Sequence, residues 1–191
     1  MKIVAIRAVL WVLIIFLAYK VGDTIYQDIH FAKVKGQKES ARVVKMEKIR
    51  ELQFVYRDEY RKFTKDWDTL LNFAKIGKIT IVKVIGDPSD TTIDVVRDTN
   101  YVKVADSLFH GNIAKIDSLP YIPFSKENKK FSIDADKINL RQVFVDVMEI
   151  KDTDPIFQDP EQTEPNGPDE EPLTIGKMYT ANYDLNRDPR K

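Results

Sequence analysis

An α+β fold hung on an N-terminal transmembrane helix is the architecture that this 191-residue chain predicts. Three observations carry it. Residues 3–21 are apolar apart from Arg7 and Lys20. Ile49, Leu52, Tyr56, Tyr60 and Phe63 then recur at +3, +4, +4 and +3, which places them in one narrow helical stripe. After Gly77 the apolar period changes to two. A helix laid on a mostly antiparallel sheet of about five or six strands buries both patterns.

The anchor comes first. As a helix, residues 3–21 rise about 28 Å, close to the ~30 Å of bilayer hydrocarbon. A cleaved secretory leader shares the basic start and apolar middle. Its cut needs small residues at the third and first positions before it, and Leu17-Ala18-Tyr19-Lys20-Val21-Gly22-Asp23 offers no such pair. The chain has no cysteine, so cleavage before a lipid-modified cysteine is excluded too. Segment 1–22 therefore reads as an uncleaved signal anchor. Arg7 sits near one end, where its stem can lie in hydrocarbon while the guanidinium reaches the headgroups. Lys2 and Arg7 favour a cytoplasmic N-terminus, whereas Asp23 and Asp28 follow the span. The expectation is a single-pass inner-membrane protein whose C-terminal domain is periplasmic.

Residues 23–40 read as a membrane-proximal stalk and hinge. Gly36 disfavours helix there, and Ser40 can cap a new start. The helix at 40–63 carries the stripe, which faces either the domain's own sheet or an oligomer seam. A short helix follows, capped by Thr64 or Asp66, with Trp67, Leu70, Leu71 and Ala74 inward and Gly77 at its end. Strands are predicted at 78–85, 92–96, 101–104, 121–124, 131–134 and 142–150, separated by turns at 86–90, 98–100 and 126–129. In the last of these, Val143, Val145 and Val147 share one side. Residues 41–150 thus form the α+β domain. Residues 151–172 shift to Asp, Glu, Pro, Gln and Asn, which suits a loop or tether. The segment 173–191 adds a short strand or coil and ends in a frayed basic tail at 187–191.

Composition narrows the function. Lys plus Arg number 30 and Asp plus Glu number 30, so no net field points to nucleic acid. The acidic loop offers Asp152, Asp154, Asp159, Glu161, Glu164, Asp169, Glu170 and Glu171 as hard oxygens for calcium. Their spacing matches no twelve-residue calcium loop, and a solvated loop is the simpler reading. Asp87-Pro88-Ser89-Asp90 reads as a hairpin turn for the same reason. Ser107 lies near His110 but lacks a nucleophile elbow and an orienting acid. Lys33, Lys35, Lys38, Arg42, Lys45, Lys48 and Arg50 form either a solvated helix face or a contact with anionic lipid. No catalytic residue, cofactor site or metal site is expected.

The run Ile49-Arg50-Glu51-Leu52-Gln53-Phe54-Val55-Tyr56, then Tyr60-Arg61-Lys62-Phe63, then Trp67-Asp68-Thr69-Leu70-Leu71-Asn72-Phe73 with Gly77-Lys78, resembles a family of single-span envelope proteins from the Bacteroidota. Phe31-Ala32-Lys33, Ile116-Asp117-Ser118-Leu119-Pro120-Tyr121-Ile122-Pro123-Phe124 and the tail at 172–183 extend that resemblance over nearly the whole chain. It implies a cell-envelope setting and no activity. The architecture is also similar to type IV pilins and pseudopilins. An apolar helix runs into an amphipathic one carrying Gln53-x-x-Tyr56 and Tyr60-x-x-Phe63, then into a short helix and an antiparallel sheet. The chain lacks their processing site ending in Gly and their Glu five residues into the mature helix.

Two functions are expected on these grounds. The first is a non-enzymatic periplasmic subunit that scaffolds an envelope assembly in secretion, motility or wall maintenance. It would touch lipid through 3–21 and protein partners through the anchor and the 40–63 helix. The second is a periplasmic binding module for a glycan, lipid or peptide, with Tyr101, Phe109, Tyr121, Phe124 and Phe131 as its aromatic face.

Overall fold

The computed structural model describes residues 2–85, 96–125, 127–157 and 171–190, without the side chains of 2–9, 24, 25, 27, 28, 81–85 and 96–99. Its backbone is organised by one helix, α1 (Lys2–Tyr60), of 59 residues. At 1.5 Å per residue it is about 88 Å long. The hinge expected at 35–40 is absent, and the helix runs straight through it. Ser40 does not cap a new helix; its hydroxyl donates to the Gly36 carbonyl 2.6 Å away, within the helix that Gly36 was expected to end. Glu39 and Arg42, just beyond, are buried against the body and hold the helical path.

Among the described residues no helix is long and apolar enough to cross a membrane. The first part of the predicted span, residues 3–9, lies outside the described side chains. From Leu10 to Val21 the large apolar side chains of α1 expose 50% to 69% of their surface. Nothing else in the described chain covers them.

Past α1, Gln53 fixes the turn into the next helix. Its amide donates to the Thr64 carbonyl at 2.6 Å and accepts the Thr64 N–H at 3.1 Å. Asp66, not Thr64, caps α2 (Trp67–Ile76), accepting the Thr69 N–H at 2.8 Å. Leu70 and Ala74 are buried as expected, and Phe73 joins them. Trp67 and Leu71 are only partly buried. The chain then enters an antiparallel ribbon of β1 (Lys78–Ile85) and β2 (Val96–Lys103). The expected turn at 86–90 and most of the return at 92–96 lie outside the described residues. The second expected turn does not exist: Asp98, Thr99 and Asn100 pair with Lys83, Val82 and Ile81 in mid-strand. The residues read as a turn are thus carried into the ribbon by a register that is set at its base. There the Val104 N–H donates to the Gly77 carbonyl at 3.0 Å.

Two short helices, α3 (Val104–Phe109) and α4 (Ile113–Asp117), follow directly. Residues 121–124 are not a strand; Tyr121 makes one bridge to Lys130, and Phe124 takes a left-handed φ of 59°. The second sheet holds β3 (Ser132–Leu140), β4 (Val143–Lys151) and β5 (Thr174–Gly176), antiparallel in that order. The single larger sheet is therefore replaced by a two-stranded and a three-stranded one, with α3 and α4 between them in the chain. The class remains α+β.

The core forms where α1 crosses this set. Val43, Met46, Ile49, Leu52 and Tyr56 face Leu70, Phe73, Phe109, Ile116, Phe131, Ile133, Ile150 and Ile175. The expected stripe is right at Ile49, Leu52, Tyr56 and Phe63 but not at Tyr60, which is exposed. Tyr60 instead lies against Tyr56 and Phe73, with ring centroids 4.6 Å and 5.7 Å away. On β4, Val147 is buried, but Val143 is exposed because the hairpin overhangs the body.

Gly176 closes the last strand at φ 83°, and a Cβ there would overlap the backbone carbonyl of Met148 on β4. Gly176→Ala should therefore lower stability by about 2–3 kcal/mol through backbone strain and loss of the β4–β5 pairing. Thermal unfolding of the full chain in detergent measures this, and an unchanged midpoint would contradict the close approach.

Candidate interaction surfaces

The largest buried polar side chain among the described residues is Arg42, only 2% exposed. Its guanidinium donates to the Asp152 carboxylate at 2.8 Å, to the Asp154 carbonyl, and to the Pro123 carbonyl at 3.2 Å. The second oxygen of Asp152 accepts the Asp154 N–H at 2.8 Å. Lys129 donates to the Asp154 carboxylate at 3.2 Å. Two expectations are corrected here. Arg42 belongs neither to a solvated helix face nor to a lipid-facing cluster, and Asp152 is not part of a solvated loop, nor does it offer free oxygens to calcium. They neutralise one another. Burial pushes the Asp152 carboxyl up from its ordinary range, and the neighbouring Arg42 opposes that rise.

Four further cations of the helix also have partners. Lys45 donates to the carbonyls of Ser118 and Tyr121 at 2.6 Å and 2.7 Å. Lys48 pairs with Glu51 at 2.6 Å, and Arg50 donates to the Tyr183 carbonyl at 3.2 Å. Lys35 lies 6.0 Å from the centre of the Phe31 ring. Of the acidic loop, Asp159, Glu161, Glu164, Asp169 and Glu170 lie outside the described residues, as do Asp87 to Asp90. Among the described residues no group of three His, Cys, Asp or Glu is placed to hold a metal.

The C-terminal tail, expected to fray, straps α1 instead. Arg187 donates both terminal nitrogens to the buried Glu39 carboxylate, at 2.9 Å and 3.0 Å. Arg190 reaches Glu47 at 2.9 Å. Between these pairs and the end of α1, the Tyr183 ring packs edge-on against Phe54 at 5.3 Å and at a tilt against Phe63 at 5.6 Å. Its hydroxyl donates to the Asp146 carbonyl. Hydrophobic patterning could not have found this. A spacing signal existed: Glu39 and Glu47 lie about 12 Å apart on one helix face, close to the ~10 Å between Arg187 and Arg190 in extended chain.

The remaining candidates separate. Ser107 and His110 are both exposed, and His110 serves as the left-handed cap of α3, at φ 52°. Phe109 and Phe131 are core residues, which removes them from the proposed aromatic face, whereas Tyr101, Tyr121 and Phe124 are exposed. An open cleft of about 340 Å³ lies where the end of α1 meets β4, lined by Arg57, Asp58, Arg61, Phe144, Asp146 and Tyr183. Arg57 stacks over Phe54 and Phe63 at 4.7 Å and 5.2 Å. No protein-family model, curated protein or solved structure matches the chain.

Breaking the buried pair should be far worse than removing it whole. Arg42→Met leaves Asp152 buried and unpaired and should cost about 3–5 kcal/mol, whereas Arg42→Met with Asp152→Leu should recover most of that. Urea titration in detergent measures both. A double variant as unstable as the single one would count against the pairing.

The same carboxyl gives a pH dependence. A raised acid holds its proton more tightly in the native state, so its contribution is complete below the ordinary 3.8 and declines as pH rises through the native value. The stability of the wild type minus that of Asp152→Asn should therefore fall as pH rises above 3.8. A difference that grew with pH would mean that Arg42 outweighs burial.

Proposed function

We propose that this protein is a non-enzymatic, membrane-anchored subunit that scaffolds a cell-envelope assembly, held in the inner membrane by residues 3–21 with its body in the periplasm. One observation carries the reading: the apolar helix from Leu10 to Val21 is exposed on every side and has no cover within the described chain. A helix that is apolar all round is stable only against lipid or other apolar helices. The resemblance to single-span envelope proteins of the Bacteroidota agrees with that setting. So does a pilin-like plan, in which one long helix is apolar at its free end and packed on a sheet at the other.

In this arrangement residues 22–38 form a stalk about 25 Å long between the bilayer and the body. Partner proteins would meet the stalk, and the outward stripe of α1 at Val44, Lys48 and Glu51, since the rest of that helix is occupied by the core and the tail. Secretion, motility and wall maintenance are the assemblies such a subunit suits.

The anchor is tested by charge. Leu13→Lys with Ile14→Lys places two cations in mid-span, at about 2.5–3.5 kcal/mol each. The variant should move from the membrane to the soluble fraction, while the wild-type body is digested by protease added to spheroplasts. Mature protein beginning near residues 19–23, or a wild-type body protected in spheroplasts, would sink the anchor or its orientation respectively.

A further inference from the structure

The β3–β4 hairpin carries a feature that neither the core nor the tail uses. On β4 full burial begins only at Val147, and before it Leu140, Arg141, Gln142, Val143 and Phe144 are all exposed. The register pairs Leu140 with Val143 and Asn139 with Phe144. Paired residues share a face and successive ones alternate, so the overhang presents apolar side chains on both faces. Arg141 and Gln142 form the turn itself, with φ of 51° and 70°. Two left-handed positions in a row favour Asn-Gly, yet the chain keeps an arginine at the apex.

Between Lys137 and Asp146, Arg141 is the one charged residue of the hairpin. Asp58 is paired with Arg57 at 3.3 Å, and Asp146 with Lys137 at 3.4 Å. Arg61, on the rim of the cleft beside Phe144, and Arg141 add positive charge beyond those pairs. The tip also has a defined place. Arg42 contacts Asp152 while Arg57 lines the same cleft as Asp146, so β4 runs antiparallel to α1. The turn therefore stands at the end of α1 remote from the apolar helix, about 60 Å along it from residue 22.

We propose that this turn is a second membrane-contact site, which places Leu140, Val143 and Phe144 in the headgroup region of an anionic bilayer facing the anchored one. A few apolar side chains on a narrow tip fall short of the roughly 1,000 Å² that a stable protein interface needs. They suit interfacial insertion, where lipid surrounds both faces and cations meet the phosphates. The bridge between two bilayers rests on the anchor reading; the contact at the tip does not. A tip this small binds weakly by itself, and the anchor supplies the high local concentration that makes it effective.

The test uses the full chain reconstituted in phosphatidylcholine donor vesicles, mixed with protein-free, fluorescently labelled acceptor vesicles and floated on a gradient. Acceptors containing phosphatidylglycerol should rise with the donors, and acceptors of phosphatidylcholine alone far less. Val143→Ser with Phe144→Ser should enter donors normally and recruit about tenfold fewer acceptors. Arg141→Gly should do likewise, and because glycine relaxes the turn its fold is not at risk. A chain that enters donors but recruits no anionic acceptor overturns the proposal, as do variants that recruit like the wild type. Recruitment only by vesicles from native membranes would replace the lipid with a protein partner. A chain that stays out of the donors sinks the anchor reading, and the bridge with it.

Discussion

Glu39, Arg42, Asp152 and Arg187 decide where α1 meets the body. Gly36 lies just upstream, and a glycine in a helix interior costs about 1 kcal/mol relative to alanine. Left alone, that is where the helix should end. Instead the next turn is held from two directions, by the strap at Glu39 and by the 152–154 segment at Arg42. A buried ion pair adds little net stability over a well-packed apolar pair, but any misplacement strands a charge away from water. The pairs therefore act mainly on geometry. They fix the rotation of α1 about its axis and the height at which the body begins.

That fixed rotation divides α1 into surfaces with separate tasks. Val43, Met46, Ile49, Leu52 and Tyr56 enter the core. Glu39, Glu47 and Arg50 receive the tail, while Arg42 and Lys45 reach the loops around residues 118–123 and 154. Only a narrow stripe including Val44, Lys48 and Glu51 is left outward. Arg42, Lys45 and Arg50 thus hold the chain's own carbonyls and carboxylates. Part of a charge run that reads as a solvated or lipid-facing patch is here the inner wiring of the fold, while Lys33 and Lys48 stay exposed.

The sequence made the local elements legible where burial repeats with a fixed period. The stripe from Ile49 to Tyr56, the helix starting at Trp67 and the strand at 143–150 belong to that class. It was silent where structure depends on partners far along the chain. Gly36 and Ser40 look like a break unless Arg187 and Asp152 are known to grip the next turn. Asp98-Thr99-Asn100 looks like a turn unless Gly77 and Val104 are known to set the ribbon's register. The tail looks frayed because its anchors are two arginines and one tyrosine, too sparse for any periodic signal. For the candidate surfaces the contrast is sharper. The apolar helix is plain in the sequence, whereas the overhang at Leu140 to Phe144 depends on how far β4 projects past the body, which only packing decides.

These parts combine into a definite path for mechanical load. A pull on the apolar end of α1 passes down a continuous helix and first meets the paired charges at Glu39 and Arg42, before it reaches the core. The strap lies along the helix from Glu39 to the Phe54 and Phe63 rings, so the same pull shears several contacts together rather than peeling them one at a time. The β1–β2 ribbon lies off this path. It is held to the body at its base, and a two-stranded ribbon is at best marginally stable by itself. The strap and its paired charges thus run along one side of α1 from Glu39 to Phe54, and the ribbon joins the body elsewhere, at Gly77 and Val104.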